Sequence, residues 1–158
     1  MCPTFTKLTV LSIARYITDR ELMTEIRKVT DDFAVAPQIS EEDMEAIVAA
    51  GFKTIIANRP DGEGGPDQPA MGIIRAKAES LGIAFHALPF SGAPSTEIAN
   101  RQGELIAESE KPVLAYCRTG TRSVTAWALS QAGEGSANDV ISSAAKAGYD
   151  LEGLRSRL

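Results

Sequence analysis

Short, mainly apolar runs alternate with helical patterns along most of the chain, and this alternation restricts the fold more than any other feature. The apolar runs end in turn residues, as buried strands do, and they occupy residues 33–36, 53–58, 83–88 and 112–116. Helical patterns occupy residues 40–50, 70–81, 95–109, 123–132 and 136–148. Strands that alternate with helices predict an α/β fold, with a mostly parallel central sheet flanked by helices on both faces.

Three loops leave the carboxyl ends of predicted strands, at residues 59–68, 89–94 and 117–122. Folds of this class bind ligands at the carboxyl ends of their strands. We therefore expect the three loops to border one pocket.

The loop at 117–122 carries the strongest chemical signal. The strand ends at Cys117, a short turn contains Gly120, and an apolar helical pattern follows. The N–H groups at the start of a helix and the nearby arginines favour a thiolate and bind a tetrahedral anion. We predict that Cys117 is the catalytic nucleophile and that Gly120 permits the loop. The other residues predicted to bind the anion are Arg118, Thr119, Thr121, Arg122 and, from the 59–68 loop, Arg59.

Composition narrows the function classes. The chain has 16 Lys and Arg against 21 Asp and Glu, and a net charge of −5 argues against a nucleic acid or an anionic membrane as partner. Cys2 and Cys117 make no disulfide framework and suit a reducing, cytoplasmic location. With a single histidine besides them, neither a metal site nor another cofactor is expected. The predicted partner is a small anionic molecule.

The first 22 residues are predicted to be an extension of uncertain order, and residues 23–158 a single domain. The short apolar run at residues 8–14 is far below the ~20 residues of a membrane span. A second hypothesis is that Met23 is the biological start of the protein, and Cys2 is interpreted as a terminal bystander.

Three stretches together resemble one family. They are Thr54–Glu63 (TIIANRPDGE), Leu114–Ser123 (LAYCRTGTRS) and Ala147–Asp150 (AGYD). The chain resembles the beta-lactamase hydrolase-like protein, phosphatase-like domain family, over about residues 25–158. The resemblance implies a fold similar to dual-specificity phosphatases, with the cysteine loop between a central strand and a helix. The family has been called both phosphatase-like and sulfurtransferase, so it leaves the reaction open.

The spacing within the loop bears on the reaction. Tyrosine and dual-specificity phosphatases place five residues between the cysteine and the arginine, whereas four separate Cys117 from Arg122. The pattern C-R-x-G-x-R is similar to a rhodanese-type sulfurtransferase loop. A shorter ring offers less room for a phosphoryl group than for a persulfide sulfur. We therefore expect sulfur transfer through a Cys117 persulfide, with a sulfane-sulfur donor as substrate.

Two alternatives stay open. The first is hydrolysis of a phosphoester through a cysteinyl-phosphate, and the second is an anion-binding module without turnover. Hydrolysis needs a proton donor for the leaving oxygen, and the loop at 89–94 contains no carboxylate. Carboxylates of the 59–68 loop could substitute, and Asp61 is our candidate among Asp61, Glu63 and Asp67. Ser123 is predicted to cap the following helix and to donate a hydrogen bond to the departing thiolate.

Overall fold

The computed structural model of the protein describes residues 25–158, and the expectations for Cys2, Met23 and the first 22 residues lie outside that range. Within residues 25–158, five strands form one sheet. They are β1 (Arg27–Lys28), β2 (Phe33–Ala36), β3 (Thr54–Ala57), β4 (Ala84–Ala87) and β5 (Val113–Tyr116). Five α-helices of the described part of the chain flank the sheet. They are α1 (Met44–Ala49), α2 (Met71–Ser80), α3 (Thr96–Glu108), α4 (Thr121–Ser130) and α5 (Ala137–Lys146).

The strand order is β1-β2-β5-β3-β4, so the strand that leads to Cys117 lies in the centre. β2, β5, β3 and β4 pair in parallel, and only the two-residue β1 is antiparallel, at the edge beside β2. The predicted α/β class with a mostly parallel sheet is therefore confirmed. β1 was not predicted, because two residues carry no measurable periodicity.

The central strands are buried on both faces because helices cover both. On one face the sheet packs against α1 and α2, and on the other it packs against α3, α4 and α5. Alternate residues of β5 show this, since Leu114 lies in the first layer and Val113 in the second. Trp127 lies in the second layer, stacked on Phe33 at 5.9 Å between ring centroids, as expected for a core residue.

Polar side chains cap two of the helical segments. Ser40 forms a capping box with Asp43, whose Oδ2 accepts from the Ser40 N–H at 2.8 Å, and a 3₁₀ turn (Glu41–Asp43) precedes α1. Ser95 caps α3 by accepting from the Ile98 N–H at 3.2 Å. α4 begins at Thr121, two residues before the predicted start, with Gly120 at its N-cap. The prediction that Ser123 caps this helix is wrong.

None of the helices within residues 25–158 is long and apolar enough to cross a membrane. Over the same residues, no group of three or more His, Cys, Asp or Glu side chains is placed to hold a metal ion.

Candidate active site around Cys117

Cys117 follows β5 directly and lies beneath the turn that leads into α4. Its own N–H donates to the Ala36 carbonyl at 3.4 Å, which ties it to the end of β2. Its Sγ accepts a hydrogen bond from the Gly120 N–H at 3.0 Å. Only 1% of Cys117 is exposed, so a reacting group has to reach the sulfur through the ring formed by residues 117–122.

Gly120 makes this turn possible. Its φ is +89°, in the left-handed region that residues with a Cβ rarely adopt. The predicted role of this glycine therefore agrees with the backbone geometry. The free N–H groups of the first turn of α4, at Thr121, Arg122 and Ser123, follow it immediately, because the first N–H groups of a helix have no partner within the helix.

Arg122 joins all three predicted loops. Its Nη1 donates to Glu63 Oε2 at 2.7 Å and its Nη2 to Glu63 Oε1 at 2.5 Å, in a bidentate pair with the 59–68 loop. Nη1 also donates to the Phe90 carbonyl of the 89–94 loop at 3.0 Å. The expectation that the three loops border one site is therefore confirmed.

The charged and polar groups around Arg122 include the sulfur of Cys117. The hydrogen bond to Glu63 is the main cause that raises the pKa of the Arg122 guanidinium. Burial lowers this pKa, whereas the charge and hydrogen bonding of Cys117 raise it, as Glu63 does. Conversely, the hydrogen bond from Arg122 is the main cause that lowers the pKa of Glu63, with a further hydrogen bond from Arg59, while partial burial opposes both. Glu63 is thus held as a carboxylate.

Arg59 shares the carboxylate of Glu63 with Arg122. It is 8% exposed, and its Nε donates to Glu63 Oε1 at 3.1 Å while its Nη1 donates to Gln38 Oε1 at 3.1 Å. The structure therefore brings Arg59 into the site, with a carboxylate rather than an external anion as its partner. Whether it also binds a substrate anion stays a prediction.

Asp61, the predicted acid, is exposed and has a structural partner. Its Oδ1 accepts from the Met71 N–H at 2.8 Å, at the N-terminus of α2. A carboxylate at this position stabilises the start of a helix. Its predicted role as proton donor is untested by this geometry and stays a prediction.

Ser123 is fully buried within the first turn of α4, and its hydroxyl donates to Asn58 Oδ1 at 2.8 Å. A hydroxyl has one proton to donate, so in this arrangement it does not donate to the thiolate. Asn58 in turn exchanges two hydrogen bonds with Gln102, and its Nδ2 also donates to the Leu88 carbonyl. This buried network holds the ends of β3 and β4 against α3 and α4.

The remaining predicted residues lie at the mouth of the ring. Arg118, Thr119 and Thr121 are exposed, and the Thr119 hydroxyl donates to the Thr121 hydroxyl at 3.1 Å. The side chain of Arg118 makes no hydrogen bond or ion pair within residues 25–158, which leaves it available to a ligand.

Sequence reasoning missed four residues that shape the site. Glu63 was named only as a possible acid, and Asn58, Gln102 and Tyr149 received no role. The Tyr149 hydroxyl donates to the Thr119 carbonyl at 2.9 Å. The position of Asn58 at the carboxyl end of a predicted strand was a usable signal, whereas the contacts of Tyr149 depend on how α5 packs.

Comparison with known proteins supports a relationship at the level of sequence and of structure. A beta-lactamase hydrolase-like protein of Agrobacterium fabrum strain C58 is 34% identical over 127 residues, which is 78% of this chain and 29% of that protein. The chain thus spans under a third of the length of that curated relative. A candidate phosphatase of Neisseria meningitidis Z2491, known from its crystal structure, is 38% identical, with a TM-score of 0.74, and the match covers 84% of this chain and 94% of that one.

More distant structures share the fold alone. The kinase-associated phosphatase, in a form with its catalytic cysteine replaced by serine, has a TM-score of 0.59 at 15% identity, over 84% of this chain and 88% of that one. The predicted similarity to dual-specificity phosphatases is therefore confirmed for the fold.

The prediction of sulfur transfer is wrong, because the comparisons favour a cysteine-dependent hydrolase, which was our alternative. The prediction from ring length placed the start of the helix too late: α4 begins at Thr121, two residues earlier than expected, so N–H groups of its first turn belong to the loop itself. Residues 25–134 match the family model described as "Beta-lactamase hydrolase-like protein, phosphatase-like domain". The chain belongs to this phosphatase-like domain family.

Proposed function

We propose that this chain is a phosphatase that hydrolyses a small phosphomonoester through a phosphocysteine at Cys117. The observation that carries the proposal is the hydrogen bond from the Gly120 N–H to Sγ, at the N-terminus of α4 and beside Arg122. N–H donors and a helix N-terminus favour a thiolate over a thiol, and they also attract a phosphate group.

The pairing of Arg122 with Glu63 supports a role in binding phosphate. A guanidinium has five N–H donors, of which Glu63 takes one on each terminal nitrogen and the Phe90 carbonyl takes a second on Nη1. These three bonds do not use Nε or the second hydrogen of Nη2, which together form the other edge of the planar group. Such an edge matches two phosphate oxygens in a bidentate pair. Glu63 therefore holds Arg122 without using the edge that a substrate needs.

The reaction proceeds in two displacements. In the first, the Cys117 thiolate attacks phosphorus, a P–S bond forms, and the P–O bond to the leaving group breaks as that oxygen takes up a proton. In the second, water attacks phosphorus, a P–O bond forms as a proton of the water returns to the group that donated one in the first step, and the P–S bond breaks, which releases phosphate and the thiolate. In both steps charge builds up on the phosphoryl oxygens, where Arg122 and the N–H groups of residues 119–123 stabilise it.

The proton donor of the first step is a carboxyl group of the 59–68 loop. Glu63 is a poor candidate because Arg122 and Arg59 hold it ionised. Asp61 is the candidate, since the Met71 N–H donates only to its Oδ1, and its Oδ2 can carry the proton. Replacement by asparagine tests this, since it keeps an acceptor for that N–H and removes the acid.

The test is the release of phosphate from an aryl phosphate by the wild type, Cys117→Ser and Arg122→Lys. We expect no turnover with serine, and a loss of about 10²–10³-fold in kcat/KM with lysine, which cannot form the bidentate pair. Arg101→Lys is the matched control, because Arg101 is exposed on α3 and pairs only with Glu104 at 3.1 Å among the described residues. We expect its kcat/KM to equal that of the wild type.

Mass measurement on the quenched reaction should show one phosphoryl group on the Cys117 peptide of the wild type. Phosphate release that survives in Cys117→Ser would contradict the proposal. Phosphate binding without turnover in any of the proteins would instead favour the anion-binding module.

A further inference from the structure

The peptide group that joins Thr119 to Gly120 makes two hydrogen bonds in opposite directions. Its carbonyl oxygen accepts from the Tyr149 hydroxyl at 2.9 Å, and its N–H donates to Cys117 Sγ at 3.0 Å. The peptide is planar and trans, so its C=O and N–H point in opposite directions. A partner that fixes the direction of the carbonyl therefore aims the N–H at the sulfur.

Tyr149 is well placed to act as a rigid support. It is 8% exposed, it lies just after α5, and its N–H donates to the Ala144 carbonyl at 2.9 Å. Arg27, on the strand β1 at the edge of the sheet, packs over the ring of Tyr149, with its guanidinium carbon 5.2 Å from the ring centroid. A largely buried ring that packs against Arg27 presents its hydroxyl in one place.

The absence of a side chain at residue 120 is part of the same arrangement. A Cβ built on Gly120 would collide with the Tyr149 hydroxyl and would lie 3.1 Å from the ring carbon that carries it. Glycine at this position thus serves two purposes, the positive φ and the close approach of the tyrosine.

We propose that Tyr149 is a positioning residue for the reaction, whose hydroxyl orients the 119–120 peptide so that the Gly120 N–H stabilises the thiolate of Cys117. The inference rests on the proposed function only for its kinetic consequence, because the ionisation of the thiol can be measured without turnover. Tyr149 lies outside the residues that match the family model, which end at residue 134.

Among the described residues, other charged groups also act on the sulfur of Cys117 or on Tyr149. Arg122 acts on Cys117 from α4, Arg118 is its neighbour in the chain, and Arg27 acts on Tyr149 from β1. Burial is the main cause that raises the pKa of Tyr149, and the negative charge of Cys117 adds to it, while Arg27 opposes both. The hydroxyl therefore keeps its proton, and so remains a donor, across the pH range in which a thiol titrates.

The test compares Tyr149→Phe with the parent protein, both carrying Cys2→Ser so that Cys117 is the only thiol. The rate of alkylation by iodoacetamide is followed against pH on the Cys117 peptide. We expect the midpoint of the alkylation profile to move up by about one pH unit in Tyr149→Phe, equivalent to ~1.4 kcal/mol. In phosphate release, kcat/KM should fall about tenfold at pH values below both alkylation midpoints and return toward the parent value above them.

Val140→Ala is the control for a general loosening of the fold. Val140 lies on α5 in the same core layer as Tyr149, and it is 7% exposed. We expect this variant to lose stability without a shift of the alkylation midpoint. An unchanged midpoint in Tyr149→Phe would overturn the proposal, and so would an equal shift in Val140→Ala. If the midpoint moves as expected while no protein releases phosphate, the proposed function fails and the positioning role stands.

Discussion

Replacement of Asn58 by leucine removes the centre of the buried network that holds the site loops together. Asn58, Gln102 and Ser123 are each fully buried. The Asn58 side chain takes part in four hydrogen bonds: to the Leu88 carbonyl, to and from Gln102, and from Ser123. Leucine has nearly the same shape, so the change tests the hydrogen bonds rather than the packing.

The expected cost follows from the groups that lose a partner. The variant leaves the Ser123 hydroxyl, the Leu88 carbonyl and both ends of the Gln102 amide without their present partner. Each unsatisfied buried group costs about 1–3 kcal/mol, and part of this is recovered as the neighbours relax. We therefore expect Asn58→Leu to lower the free energy of unfolding by about 4 kcal/mol, a large effect for one substitution.

A double-mutant cycle separates the amide pair from the rest of the network. Gln102→Met removes only the two bonds that Gln102 exchanges with Asn58, and we expect it to cost about 2–3 kcal/mol. The double variant loses that pair once rather than twice. Its cost should therefore fall short of the sum of the single costs by about 2 kcal/mol.

The assay is unfolding in guanidinium chloride, followed by the fluorescence of Trp127, the only tryptophan of the chain. The midpoint and the slope are compared among the single and double variants. Asn100→Leu is the matched control, since Asn100 is exposed on α3 and should change the free energy of unfolding by less than about 0.5 kcal/mol. Additive costs in the cycle, or a cost below about 1 kcal/mol for Asn58→Leu, would refute the reasoning.

Three further predictions concern single residues around the same site. Glu63→Gln should remove a pH-dependent part of the stability, because the pKa of Glu63 is lowered in the folded protein, mainly by the hydrogen bond from Arg122. The stability that Glu63 contributes is complete above the ordinary carboxyl pKa of ~4.3, and it is lost as the pH falls through the lowered pKa. Unfolding curves at several pH values should thus differ from the wild type near neutral pH and converge in acid, and a constant difference would contradict the assignment. Gly120→Ala should lower the free energy of unfolding by about 2 kcal/mol or more and abolish turnover, because a residue with a Cβ is strained at this positive φ and the new Cβ collides with Tyr149. Activity equal to that of the wild type would disprove the close approach of Tyr149. Trp127→Ala should lower the free energy of unfolding by about 3–5 kcal/mol, because it removes a stacked aromatic ring from the core. The measurement is the loss of far-UV circular dichroism on heating, and a change below about 1 kcal/mol would show that the stacking is dispensable.

The fold could largely be predicted because its signals are local. The buried strands β2 and β5 differ from their predicted bounds by at most one residue, and the loops after β3, β4 and β5 meet as the rule for parallel sheets requires. Local signals failed at the start of α4. There the tight turn at Gly120 begins the helix early, and Ser123 becomes a buried member of a network instead of a cap.

Three features could be read from local sequence patterns: the layered α/β fold, the cysteine at the end of the central strand, and the glycine that lets the chain turn above it. These follow from the period of apolar residues and from the backbone freedom of glycine, which are properties of short stretches. Only the tertiary structure decided that Glu63 holds Arg122 and that Tyr149 supports the Thr119 carbonyl, across 59 and 30 residues of sequence. A hydrogen bond depends on where two distant side chains meet in space, and no periodicity or spacing along the chain records that.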